Sequence, residues 1–295
     1  MPEVLAPIRT ANYSMLVGHH MGGMKRMIGG FPEASAFGFF TLGLFGFWLR
    51  YLIVRGRSKL AFWALVATAL VLLRSTSSAA YVAIVVLVAL MGGAALFGGV
   101  SGEIPKSGAI ITVCALGVVS FFALASFAAY QFLPPVTNFL DNAVFDKIDS
   151  QSGVERMSWN AQALTNFVDT YLLGAGLGSI RASNWLIACL GSIGVIGTAL
   201  YLMFLYSVVR VPVPRGDIDA RALISGLKVG RIALFISAML TIPTPDLGIF
   251  FFALAGLIVG LSRGLVMATA STPVFHRNPR QLTSFAQGNG RKTII

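Results

Sequence analysis

Three arginines stand beside short polar or glycine-rich strings in an otherwise apolar chain. Arg74 directly precedes Ser75-Thr76-Ser77-Ser78, Arg156 follows Ser152-Gly153-Val154-Glu155, and Arg181 follows GAGLGS at residues 174–179. A guanidinium is a planar fork of donors that grips a phosphate bidentately, which lysine does less well. Several such groups meeting one anionic headgroup would suit a lipid-linked pyrophosphate. Arg74 ends an apolar run, where a cation is costly unless it snorkels or pairs, so it reads either as a functional group or as a snorkelling one. Arg156 falls in the first turn of an expected helix, where a cation opposes the helix dipole. That points to a ligand, or to pairing with Asp149 or Glu155. Glu33 precedes an apolar run and could accept a proton from an acceptor hydroxyl, or simply favour the start of a helix.

Other chemistries find less support. Cys114 and Cys189 both fall inside apolar runs, so a disulfide is not expected, and two thiols alone make no zinc site. His19 and His20 are adjacent and read as part of a polar loop. The glycines of GAGLGS follow G-x-G-x-G with no βαβ unit around them, so a nucleotide-binding fingerprint is rejected. The string reads instead as a tight backbone turn, or as a place where backbone N–H groups approach an anion.

The elements that must position these residues are membrane spans. Of the 295 residues 56% are apolar and only 11% charged, and the mean hydropathy is +0.79. Soluble domains carry roughly 25% charged residues, so a soluble enzyme is excluded, and so is a disordered chain. Apolar stretches long enough to cross a bilayer recur at about 34–54, 59–73, 79–100, 108–130, 184–209, 222–243 and 247–267. The fold class expected is all-α: a polytopic membrane protein of about seven helices with a large extracytoplasmic loop. Lys228 and Arg231 interrupt the sixth span and are expected to snorkel to a nearby interface.

The net charge of +11 follows the spans and reads as a topology signal, not as a nucleic-acid footprint. Placing the loops around Arg55, Glu103 and Arg215 and the tail in the cytoplasm puts 15 Lys+Arg and 3 acids inside, against 7 and 8 outside. That asymmetry obeys the positive-inside rule. It divides the chain into an extracytoplasmic segment (1–33), four spans (34–130), an extracytoplasmic loop (131–183), three spans (184–267) and a cytoplasmic tail (268–295). Arg9, Lys25, Arg26, Arg74, Lys147, Arg156 and Arg181 then all lie outside. Residues 1–33 carry no signal-peptide pattern, so an outer amino end implies an N-terminally truncated chain or an externally inserted terminus.

Ser152 to Glu155 matches the S-x-x-E capping box, and Met157, Ala161, Leu164 and Val168 recur at helical spacing. An amphipathic helix is therefore expected over about 153–168, on the membrane surface or over a cavity.

Four strings, taken in order, resemble the bacterial O-antigen ligase and polymerase family. They are GGFPEASAFG (29–38), LLRSTSSAAYVA (72–83), GVERMSWNAQAL (153–164) and LLGAGLGSIRASNWLIACLGSIGVIGTALY (172–201), and the likeness covers most of residues 25–267. The resemblance implies an inverting glycosyltransferase of the inner membrane with its active face in the periplasm. It would polymerise or transfer an undecaprenyl-pyrophosphate-linked oligosaccharide in O-antigen or exopolysaccharide assembly, with no cofactor and no metal. Arg156 matches the family's loop arginine and Arg74 the arginine near its serine junction. Both would neutralise the diphosphate leaving group; the resemblance names no base, and Glu33, from its place before the first span, is the candidate. Arg181, Arg26, Lys25, Ser75 and Asn184 are the expected substrate-binding residues. Membrane lipid and a chain-length regulator are the expected partners, and nucleic acid is not. Family ligases carry a His before the return into the membrane, where this chain has Arg181-Ala-Ser-Asn184, so a polymerase-like role fits better. A transport component for a lipid-linked glycan and a non-catalytic remnant are the alternatives.

Overall fold

The computed structural model describes residues 20–21, 24–25, 27–31, 33–75, 77–97, 106–134, 137, 151–213 and 217–270. Apart from a two-residue antiparallel pair, His20–Met21 with Met24–Lys25, its regular elements are eight α-helices. They are α1 (Ala34–Arg55), α2 (Lys59–Arg74), α3 (Ser78–Phe97), α4 (Lys106–Phe132), α5 (Gln151–Asp169), α6 (Trp185–Val209), α7 (Ile218–Thr241) and α8 (Gly248–Ala270).

Helices occupy all seven expected span positions. Five of them, α1, α4, α6, α7 and α8, are long and apolar enough to cross a membrane, which marks a multi-pass membrane protein. α2 has 16 residues and at 1.5 Å per residue reaches only about 24 Å, short of the roughly 30 Å hydrocarbon core. α3 contributes a shorter apolar stretch, Ser78–Ala94.

The central contact is α1 against α7, and glycine makes it close. A Cβ on Gly43 would lie 2.6 Å from the Leu234 side chain, and one on Gly230 would lie 2.9 Å from the Gly43 carbonyl. Gly226 and Gly230 form a G-x-x-x-G pair facing Phe47, the small-residue pattern that lets helix backbones approach in lipid. The two helices run antiparallel. Arg50 Nε donates to Ser225 Oγ at 2.7 Å and Arg55 pairs with Asp219 at one end. α3 runs parallel to α1, its Ser77–Ala80 start meeting Gly38.

α6 crosses α7 in the opposite sense. Asn184 reaches Met239 at the first end, and Lys228 reaches Val209 and Val211 at the other. The starts of α1, α3, α6 and α8 and the ends of α2 and α7 therefore share one end of the bundle, away from the Arg55–Asp219 pair. The core lies between α1, α6, α7 and α8, around Trp185, Leu234, Leu247 and Phe251. α4 exposes Val113, Phe121, Phe122 and Phe127, surface that suits lipid better than water.

Lys228 and Arg231 differ from expectation. The half-buried Lys228 bonds its ammonium to the carbonyls at the carboxyl end of α6, where the dipole favours a cation. Arg231 turns inward and is 3% exposed.

Candidate anion-binding site

The candidate residues gather on α5, on the chain that follows it, and at the end of α2. α5 forms where amphipathic spacing predicts a helix, over Gln151–Asp169. Its small Ala163 is fully buried against Ile180, Ala182 and Ala188. Its large apolar residues Val154, Met157, Leu164 and Val168 face outward, an arrangement that calls for an apolar surrounding such as the membrane interface. The helix begins earlier than the capping box suggests, so Arg156 is its sixth residue and stands beyond the first turn. There the helix dipole opposes a cation less than it would in the first turn. Among the described residues no carboxylate pairs with Arg156.

α5 stops in a Schellman-type cap. The Leu172 N–H donates to Phe167 O and the Tyr171 N–H to Val168 O, both at 2.9 Å. Glycine usually fills the left-handed position of this motif. Here Tyr171 and Leu172 take it at φ 53° and 67°, which costs about 1–3 kcal/mol each.

The chain then docks into a break in α6. Gly194, at φ 66° and ψ −172°, interrupts that helix. The break frees the carbonyls of Gly191 and Ser192, and these accept from the Ala175 and Gly176 N–H groups at 2.8 and 2.9 Å. Val195 N–H donates in turn to Leu172 O at 3.0 Å. Such repair is required, because unpaired backbone polar groups are tolerated in a membrane protein only where protein or water satisfies them. Two glycines permit the approach. A Cβ on Gly174 would lie 2.5 Å from Gly194 N, and one on Gly194 would lie 2.4 Å from the Leu173 backbone. GAGLGS thus forms a turn. The N–H groups of Gly174, Ala175, Gly176 and Ser179 are all engaged within the protein.

Beyond this loop Arg181 is exposed and lays its guanidinium 4.5 Å from the centre of the Trp159 ring. Trp159 lies three residues after Arg156, and residues at that spacing share a helix face. The fold thereby brings Arg181 beside the face of α5 that carries Arg156. Asn160 Oδ1 accepts from the Ser183 N–H at 2.7 Å and ties the same stretch down.

Asn184 serves the fold. Its Oδ1 caps α6 by accepting from Leu186 and Ile187 N–H, and its Nδ2 donates to Met239 O at 2.8 Å. Trp185, next to it, is fully buried and donates Nε1–H to Pro245 O at 3.0 Å.

Arg74 is exposed at the end of α2, and its carbonyl accepts from Met27 N–H at 3.3 Å. Ser75 is fully buried and donates its hydroxyl to Leu72 O at 2.7 Å, so it finishes the helix instead of facing a ligand. Glu33 is the residue before α1 and makes no capping bond to the backbone; its carboxylate accepts from Ser35 Oγ at 2.9 Å. Lys25 belongs to the short strand pair. Arg26 lies outside the described residues.

The candidates therefore form two groups at one end of the bundle: Arg156, Arg181 and Trp159 with the α5–α6 loop, and Glu33, Arg74 and Ser75 with α1 and α2. Sequence reasoning missed Trp159 as the aromatic platform and Gly194 as the break. The Gly191-x-x-Gly194-x-x-Gly197 spacing was the only available sign of the latter. Among the described residues no cluster of three His, Cys, Asp or Glu side chains could hold a metal. No family model, no curated protein and no solved structure matches the chain.

Proposed function

We propose that this chain is a membrane glycosyltransferase-like protein that extends or transfers a glycan carried on undecaprenyl pyrophosphate, at the periplasmic face of a bacterial inner membrane. The observation that carries the reading is the Arg181 guanidinium on Trp159, beside the face of α5 that bears Arg156. A half-buried arginine on an amphipathic helix, with an exposed one in the chain that follows it, suits a headgroup that is doubly anionic and embedded in lipid. In the reaction, an acceptor hydroxyl oxygen forms a bond to the anomeric carbon as the bond from that carbon to the diphosphate oxygen breaks. The electron pair leaves on the diphosphate, where the guanidinium groups hold the growing charge. The hydroxyl proton goes to a carboxylate, for which Glu33 is the candidate. The seven-span topology, with α2 and α3 crossing as short helices, belongs to the same proposal.

A second reading, a transport component for such a lipid-linked glycan, is favoured by the break in α6, since interrupted helices line substrate paths in transporters.

Two measurements test the first reading together. A cysteine placed at Leu177 should react with a membrane-impermeant maleimide in intact spheroplasts, and labelling only after permeabilisation would overturn the topology. Arg156→Ala and Arg74→Ala should each abolish glycan chain extension with membrane insertion unchanged. Normal polymer length in both variants would overturn the chemistry.

A further inference from the structure

α6, α7 and α8 enclose a groove of about 220 Å³ that runs from Phe251 in the first turn of α8 to Val209 at the carboxyl end of α6, with Arg231 in its wall. Arg231 is 3% exposed. One of its five N–H donors reaches Leu205 O at 3.3 Å, its guanidinium carbon lies 4.5 Å from the Phe251 ring centre, and Nε and Nη2 have no hydrogen-bond partner among the described residues. A buried guanidinium with unmet donors is costly, and more so in lipid, where water does not supply the acceptor.

No carboxylate answers it among the described residues. The acids at the start of α7 and before α8 are engaged elsewhere: Asp217 accepts from the Asp219 N–H, Asp219 pairs with Arg55, and Asp246 accepts from the Gly248 N–H. Two more cations touch residues that line the groove. Arg210 donates to Tyr206 Oη at 3.4 Å and lies over that ring, and Lys228 sits on the carbonyls of Val209 and Val211. Tyr206 and Val209 also line the groove and are exposed.

The groove is apolar except for Arg231 and the Tyr206 hydroxyl, and the α6 residues that line it, Leu202, Tyr206 and Val209, are exposed. Leu205 lies four residues before Val209, so Arg231 is about one helical turn, roughly 6 Å, inside the carboxyl end of α6. That depth is within reach of a headgroup phosphate whose acyl chain continues inward. A free anion would gain nothing from the walls formed by Leu202, Ile232 and Phe235.

We propose that this groove is a binding site for an anionic phospholipid, its phosphate held between Arg210, Lys228 and Arg231 and one acyl chain lying along Leu202, Ile232 and Phe235. Basic pockets between spans at a membrane surface select anionic headgroups in this way. The leaflet concerned is the one at the Arg55–Asp219 end, which the charge asymmetry assigns to the cytoplasm. The site is independent of the glycan reading.

The test is native mass spectrometry of the full chain released from micelles supplemented with phosphatidylglycerol, phosphatidylcholine or inorganic phosphate. Phosphatidylglycerol should be retained over phosphatidylcholine, and inorganic phosphate should not compete. Arg231→Gln should weaken that retention about fivefold, the effect of one surface-level cation. Since Arg231→Gln can also disturb folding, Arg210→Ala and Leu202→Trp, both at exposed positions, complete the set. Arg210→Ala should reduce the preference for phosphatidylglycerol. Leu202→Trp should lower retention by filling the groove, with every cation still in place. Equal retention of the two lipids, competition by inorganic phosphate, or unchanged binding in Arg210→Ala and Leu202→Trp would overturn the proposal.

Discussion

The Val195 N–H donates to the Leu172 carbonyl across 3.0 Å, a bond between a broken membrane helix and the loop that enters the break. In an unbroken α6 that N–H would bond to Gly191 O, four residues back. Gly191 O instead accepts from Ala175. The two exchanges make the loop and the helix one unit, and they fix where α5 and its arginine stand.

Gly194→Ala should disrupt this unit. The new methyl would lie 2.4 Å from the Leu173 backbone, at a φ of 66° that L residues rarely adopt. Backbone strain alone is about 1–3 kcal/mol, and the clash adds to it. Thermal unfolding in detergent should show a clear fall in Tm. Gly264→Ala, where the methyl meets nothing within 4 Å, should leave Tm unchanged or slightly raised. Equal behaviour of the two variants would show that the break is not a structural requirement.

Arg181 and Trp159 should be energetically coupled. An exposed cation–π contact is worth about 0.5–1 kcal/mol. A double-mutant cycle with Arg181→Ala and Trp159→Ala should return a coupling of that size, read from unfolding in detergent. Additive effects would mean that the contact at 4.5 Å contributes no stability.

Asn184 should separate into two roles. Asn184→Ala removes both the α6 cap and the bond to Met239 O, a loss of about 1–2 kcal/mol. Asn184→Asp keeps the capping oxygen and loses only the donor, so its Tm should fall between wild type and Asn184→Ala. If the aspartate variant were as unstable as the alanine one, the tie to α7 would be the dominant contribution.

Much of the site was legible and some was not, for physical reasons that differ by residue. α5 was visible because a 3.6-residue period of apolar side chains is a local property. The turn at Gly174–Ser179 was visible because glycine clusters mark backbone that side chains would obstruct. The fold role of Ser75 was not legible: a serine beside an arginine suits a ligand or a helix end alike, and its hydroxyl closes α2 on Leu72. The same holds for Asn184, because a helix cap and a ligand contact call for the same amide. The Arg181–Trp159 contact joins residues 22 positions apart, and no periodicity reports that.

The sequence by itself determined that the chain is helical and built for a bilayer, which runs are apolar, where cations collect between them, and where one amphipathic helix stands. These are sums over neighbouring side chains, and transfer from water to lipid depends on such sums. Only the tertiary structure decided that α6 breaks at Gly194, that α1 and α7 meet through glycine, and that Arg231 turns inward instead of snorkelling. A glycine in an apolar run permits close packing, a kink or neither, and a cation there can point to either side. Which happens depends on the partner that approaches, and the chain brings that partner from far away in its own length.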